Sequence, residues 1–176
     1  MADKLIIDWK EYNKIVEKLA VQIYESGFKP DLLIGIMRGG APIIDVLSRV
    51  FKLKCAYLAV ESYSGKGVED EQGELIFSRE LSSTVQNMNG NILLCDDLSD
   101  TGVTLNRSIE WLRKYKPLKG KIKKIKTAVL WKKAISTFEP DYCAQRLDYN
   151  PWIVQPFEKY EEIRIEDLKK NHSDNK

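Results

Sequence analysis

With 176 residues, 43% apolar and 31% charged, the chain has the size and balance of one globular domain that can bury a sizeable core. Its net charge of +2 leaves too small an electrostatic footprint for a nucleic-acid binder. No apolar run approaches the ~20 residues of a membrane span, so no nucleic acid and no membrane are expected as partners.

The N-terminal stretch MADKLIIDWKEY has only a short apolar run, broken by Asp8, and does not read as a secretory leader. Trp9, Tyr12, Ile15, Val16, Leu19, Ala20 and Ile23 recur at helical spacing and predict an amphipathic helix over 8–26. DLLIGI reads as a strand and runs into MRGG. Residues 42–51, opening on Pro42, read as a helix. KCAYLAVESY is a second strand, and the polar, glycine-rich residues 64–75 predict a mobile loop. NILLC is a third strand, 104–115 a helix, IKTAVLW a fourth strand and DYCAQRL a candidate fifth. From Glu166 a charged tail is expected to fray. Strands separated by helices imply an α/β fold, a mainly parallel sheet covered on both faces. Ligands of such sheets bind beyond the carboxyl ends of the strands.

Cys55, Cys95 and Cys143 are odd in number and far apart, which suits neither a disulfide framework nor a metal cluster. Free thiols in a reducing cytoplasm are expected. The only histidine, His172, lies in the tail, so acid–base chemistry falls to carboxylates and lysines.

The segment with the most chemistry is ILLCDDLSDTGVTL, residues 92–105. Asp100-Thr101-Gly102-Val103-Thr104, at a strand-to-helix turn, offers backbone N–H groups, two hydroxyls and a glycine that permits close approach, which together suit a phosphate. Asp96 and Asp97 would repel a bare phosphate but can accept hydrogen bonds from sugar hydroxyls or hold a hard cation. A plain alternative is that Ser99 or Asp100 caps the helix while Asp96 and Asp97 form a solvated turn. The pattern is neither a Walker loop nor a G-x-G-x-x-G fingerprint.

Four apolar residues, two acids, two variable residues and Asp-Thr-Gly-x-Thr together resemble the phosphoribosyl diphosphate (PRPP) signature of type I phosphoribosyltransferases. That resemblance implies that Asp96 and Asp97 face the ribose hydroxyls, with Asp97 also on Mg2+. It implies that Asp100 to Thr104 cradle the 5-phosphate, and that Asp100 takes the purine proton. Arg38, Gly39 and Gly40 in IGIMRGG resemble the family's pyrophosphate loop, with Met37–Arg38 a candidate cis peptide. Ser62 and Tyr63, leading into the 64–75 loop, resemble the catalytic flap. LWKKAISTFEPDYCAQRLDYNPWIVQPFE, residues 130–158, resembles the purine-reading end of xanthine–guanine and hypoxanthine phosphoribosyltransferases. By that resemblance Lys133 bonds the 6-oxo group, Trp152 stacks on the ring and Ile153 joins it in reading the exocyclic position. Glu158 matches an acid that approaches a second metal or the base. Many relatives have Lys-Pro where this chain has Lys132-Lys133-Ala134, and alignment to some members selects Lys132.

The resemblance further implies a twisted sheet with a small C-terminal hood at about 134–165, within one domain of residues 1–165. The expected activity is transfer of the phosphoribosyl group of PRPP to guanine, xanthine or hypoxanthine, in a homodimer or tetramer. The rival reading is a regulator that senses PRPP or nucleotide on the same fold. Its best feature is the basic run KGKIKKIK, residues 119–126, which also serves to solvate the turn before the fourth strand.

Overall fold

The computed structural model describes residues 3–63 and 74–173. Strand β1, Lys4–Ile6, precedes helix α1, Trp9–Glu25. Asp8 caps α1: its Oδ1 accepts from the Glu11 N–H at 2.7 Å. Strand β2, Leu32–Met37, leads into α2, Gly40–Phe51. Then come β3, Cys55–Tyr63, and the short β4, Glu74–Phe77, and β5, Ser82–Ser83. Strand β6, Gly90–Ser99, runs into α3, Val103–Lys114, and β7, Ile122–Lys132, follows. The chain closes with β8, Tyr142–Arg146, β9, Trp152–Val154, α4, Lys159–Glu162, and α5, Ile165–Ser173.

The main sheet has the order β4-β3-β2-β6-β7-β8, with β5 on β3. Strands β3, β2, β6, β7 and β8 are mutually parallel, and β4 and β5 are antiparallel to β3. Side chains alternate between the faces. Leu33, Leu93 and Cys95 join α1 and α2 in one core. Ile34, Ile92 and Leu94 join Leu105 and Leu112 of α3 in the other. Burial on both faces is why LLIGIM and NILLC are continuous apolar runs rather than alternating ones.

The sequence places the end of the third strand at Cys95, whereas β6 continues through both aspartates to Ser99. The cause is its neighbour: β7 is long enough to pair Val129 with Asp96, Trp131 with Leu98 and Lys132 with Ser99. The acids are therefore the last rungs of a strand. A second, two-stranded parallel sheet joins β1 to β9, pairing Lys4 with Trp152 and Ile6 with Val154. Neither strand is visible in the sequence, because each is three residues long and its partner lies at the other end of the chain. The tail from Glu166, expected to fray, is helical to residue 173 as part of α5, Ile165–Ser173. The predicted flap loop lies, from residue 64 to 73, outside the described residues, and so do the side chains of Ser62 and Tyr63. Among the described residues no helix is long and apolar enough to cross a membrane.

Candidate active site

The adjacent parallel strands β2, β6 and β7 end at Met37, Ser99 and Lys132. Their carboxyl ends therefore deliver Arg38, Asp100 and Lys133 to one edge of the sheet, where ligands of such sheets bind. Lys133 Nζ lies 3.2 Å from Asp100 Oδ1. The lysine is only 8% exposed, while the carboxylate is open to solvent. Lys132 turns elsewhere: its Nζ donates to the Ser136 carbonyl at 3.1 Å and lies 3.9 Å from Glu139.

The loop after β6 is fixed from the segment after β7. Lys133 N–H donates to the Ser99 carbonyl at 3.1 Å, and Ser99 and Ser136 share a hydroxyl bond of 2.7 Å. Thr137 N–H donates to the Thr101 carbonyl at 3.2 Å. Gly102 has φ +90°, a conformation that disfavours any side chain, and a Cβ there would collide with Phe138. Gly102 precedes α3 and brings no side chain to cap it, while the Val103 N–H of the first turn donates to Thr101 Oγ1 at 3.4 Å. Thr101 and Val103 are exposed and Thr104 half-buried.

Asp96 and Asp97 have different environments. Asp96 is 8% exposed, and its Oδ1 accepts from the Asp97 N–H at 3.0 Å. Burial, and then the neighbouring Asp97 charge, push its carboxyl well above the usual carboxylate range. Asp97 is half-buried and accepts from Gln155 Nε2. It also lies against α2: a Cβ on Gly39 would land on its carboxylate, and one on Gly40 would strike the Cys95 carbonyl. The two glycines of MRGG are thus required by the close approach of α2 to β6.

The Met37–Arg38 peptide is cis. Arg38 points outward and donates to Glu161 Oε1 of α4 at 2.6 Å rather than to the aspartates. Glu158 is half-buried at the start of α4. Trp152 is 59% exposed while Ile153, next to it, is buried. The turn that carries Lys133 docks beside this strand: Ile135 N–H donates to Asn150 Oδ1 at 2.9 Å. Gln155, Ser136, Thr137 and Phe138 build the site although the reading of residues 130–158 gives none of them a role. The one trace of Gln155 in the sequence is a lone amide inside the apolar run WIVQPF.

Among the described residues no group of three or more His, Cys, Asp or Glu side chains could hold a metal. One accessible carboxylate, Asp97, and one at Glu158 suit a magnesium ion that takes most of its ligands from water and substrate oxygens.

A family model described as phosphoribosyl transferase domain matches residues 6–162. The purine phosphoribosyltransferase structure from Pyrococcus horikoshii Ot3 is similar with a TM-score of 0.71 and 28% identity, over 93% of this chain and 97% of that one. The xanthine-guanine-hypoxanthine phosphoribosyltransferase of Helicobacter pylori shares the fold, with a TM-score of 0.72 at 20% identity, over 95% and 99% of the two chains. Hypoxanthine-guanine phosphoribosyltransferase of Bacillus subtilis (strain 168) is 29% identical over 116 residues, 63% of this chain. That match spans 61% of the curated relative's length.

Proposed function

Because this chain belongs to the phosphoribosyl transferase domain family, we propose that it transfers the phosphoribosyl group of PRPP to a 6-oxopurine, with release of pyrophosphate. The observation that carries this reading is the Lys133–Asp100 pair, 3.2 Å apart at the ends of adjacent strands. A 6-oxopurine offers a carbonyl on its pyrimidine ring and an imidazole proton on the same edge. A buried ammonium donates to the first, and an exposed carboxylate beside it accepts the second. Adenine, with an amino group at that position, would confront the lysine with a donor. Trp152 offers an open ring for stacking, worth roughly 1–3 kcal/mol per base.

Each residue then has a task. The loop from Asp100 to Thr104, with the N–H groups that open α3, binds the 5-phosphate. Asp97 accepts from the ribose hydroxyls, and the buried Asp96, its carboxyl held above the usual carboxylate range, accepts the Asp97 N–H beside it. Arg38 leaves Glu161 for the diphosphate, whose departure puts positive charge on the ribose C1 carbon, and with Gly39 and Gly40 it stabilises the leaving group. Magnesium, when bound through Asp97 and Glu158, supplies further neutralisation of the leaving charge. Asp100 accepts the purine proton as the new C–N bond forms. Ser62 and Tyr63 belong to a flap that excludes water from the reaction. Ile153 contributes backbone groups that read the exocyclic position. The enzyme works in the cytoplasm as a dimer or tetramer.

The test is an ultraviolet assay with PRPP and magnesium, offering guanine, hypoxanthine, xanthine, adenine, uracil and orotate separately. Turnover of 6-oxopurines alone is expected, and their relative rates rank the three bases. Tight PRPP or nucleotide binding with no turnover of any base would overturn catalysis in favour of a sensor.

A further inference from the structure

Gln155 follows β9 and is 6% exposed, yet it is an amide surrounded by apolar neighbours in the chain. Its Nε2 donates to Oδ2 of Asp97. A carboxylate has only acceptors, so the amide must present its NH2 group to Asp97 and its Oε1 elsewhere. Among the described residues that Oε1 has no hydrogen-bond partner, and neither has the buried hydroxyl of Tyr12. Burial, and then the charge of Asp97, hold the Tyr12 hydroxyl against ionisation, so Tyr12 also stands within the field of that carboxylate.

An unpaired buried amide oxygen is unfavourable. If packing were all that counted, an apolar side chain of the same length would serve better here. What the amide provides in return is a hold on Asp97. The carboxylate is also confined by Gly39, where even a methyl group has no room and would meet Oδ1 first. Asp97 is thus gripped between a backbone and an amide, with Oδ2 tied to Gln155 and Oδ1 lying against Gly39.

On the strength of the phosphoribosyltransferase reading above, we propose that Gln155 is a positioning residue. By holding Oδ2 it fixes the plane of Asp97, and with it the direction in which the carboxylate meets the ribose hydroxyls and cation that come with PRPP. A partner that orients a ligating carboxylate in this way typically changes affinity by about 10–100-fold when removed.

The experiment has two arms. In the first, PRPP binding in the presence of magnesium is measured by calorimetry for the wild type, Gln155→Leu, Asp97→Asn and the double variant, beside KM for PRPP and for the purine. Gln155→Leu is expected to weaken PRPP about 10–100-fold and to leave KM for the purine unchanged. In the Asp97→Asn background it should add nothing, because the two residues act as one unit. In the second arm, the Gln155 side-chain amide resonances of the unliganded protein are followed by NMR and are expected to move on Asp97→Asn. Unchanged PRPP binding in Gln155→Leu, equal weakening of PRPP and purine, or additive losses would overturn the role. Amide resonances indifferent to Asp97→Asn would overturn the contact itself, even if Gln155→Leu failed to fold. A wild type that binds no PRPP, with the amide still responding to Asp97, would overturn the transferase reading and reduce Gln155 to a structural bond.

Discussion

Asp100 and Lys133 face each other at 3.2 Å, one exposed and one buried, and that asymmetry divides their tasks. Asp100→Asn keeps the shape of the loop and removes the proton acceptor. It is expected to lose about 10²–10⁴-fold in kcat while PRPP still binds by calorimetry. Lys133→Met should raise KM for the purine at least tenfold, whereas Lys132→Met, which loses only contacts to Ser136 and Glu139, should change it little. Steady-state kinetics on the two variants decide between the lysines, a choice the sequence alone leaves open because no proline marks the register. Asp96 gives a different kind of prediction. Its proton is held above the usual range, so the native state binds a proton that the unfolded chain releases near pH ~3.9. Its contribution to stability is present below that pH and is lost as pH rises through the folded value. Asp96→Asn retains an oxygen for the Asp97 N–H and has no charge to desolvate. Its Tm at pH 7 should therefore exceed that of the wild type, and the difference should shrink on acidification.

At the scale of elements, the parallel strands and the first three helices are legible in the sequence because each carries a period or an unbroken apolar run. The predicted helix at 8–26 is α1, and the one at 104–115 is α3 shifted by a residue. What could not be read is pairing at a distance. Whether β6 stops at Cys95 or carries its acids to Ser99 depends on the length of β7, and the composition of 91–99 says nothing of that. The motif glycines were legible as motif, but the reason for them was not: Gly102 is set by Phe138, and Gly39 by Asp97. Gly102→Ala combines a positive φ with a collision, so a loss of more than about 1 kcal/mol is expected in chemical denaturation. PRPP binding should fall with it, since the loop that Thr137 and Phe138 hold would have to move.

Across the whole molecule, one end of the sheet carries the site and α4 reaches over it through the Arg38–Glu161 pair. Both side chains are largely exposed, and pairs of that kind contribute roughly 0–1 kcal/mol. Glu161→Ala should therefore leave Tm almost unchanged. It should nevertheless tighten PRPP, because an arginine without a resident carboxylate is free for a diphosphate. Calorimetry beside a melting curve reads both effects, and weaker PRPP binding would show that Glu161 helps Arg38 instead of competing for it.

The parallel pairing of β1 with β9 also sets a schedule. Lys4 and its partner, Trp152, lie far apart in the sequence, with every strand of the main sheet between them. The main sheet can assemble as its strands appear, but the ring that would cover the base under the proposed function sits on a strand whose partner is distant in the chain, and contacts of such sequence separation are the slow ones to close. On the proposed function, a truncated chain that ends before residue 152 is expected to hold a sugar phosphate but not a base. On the proposed function, the ability to choose a purine follows the main sheet in folding.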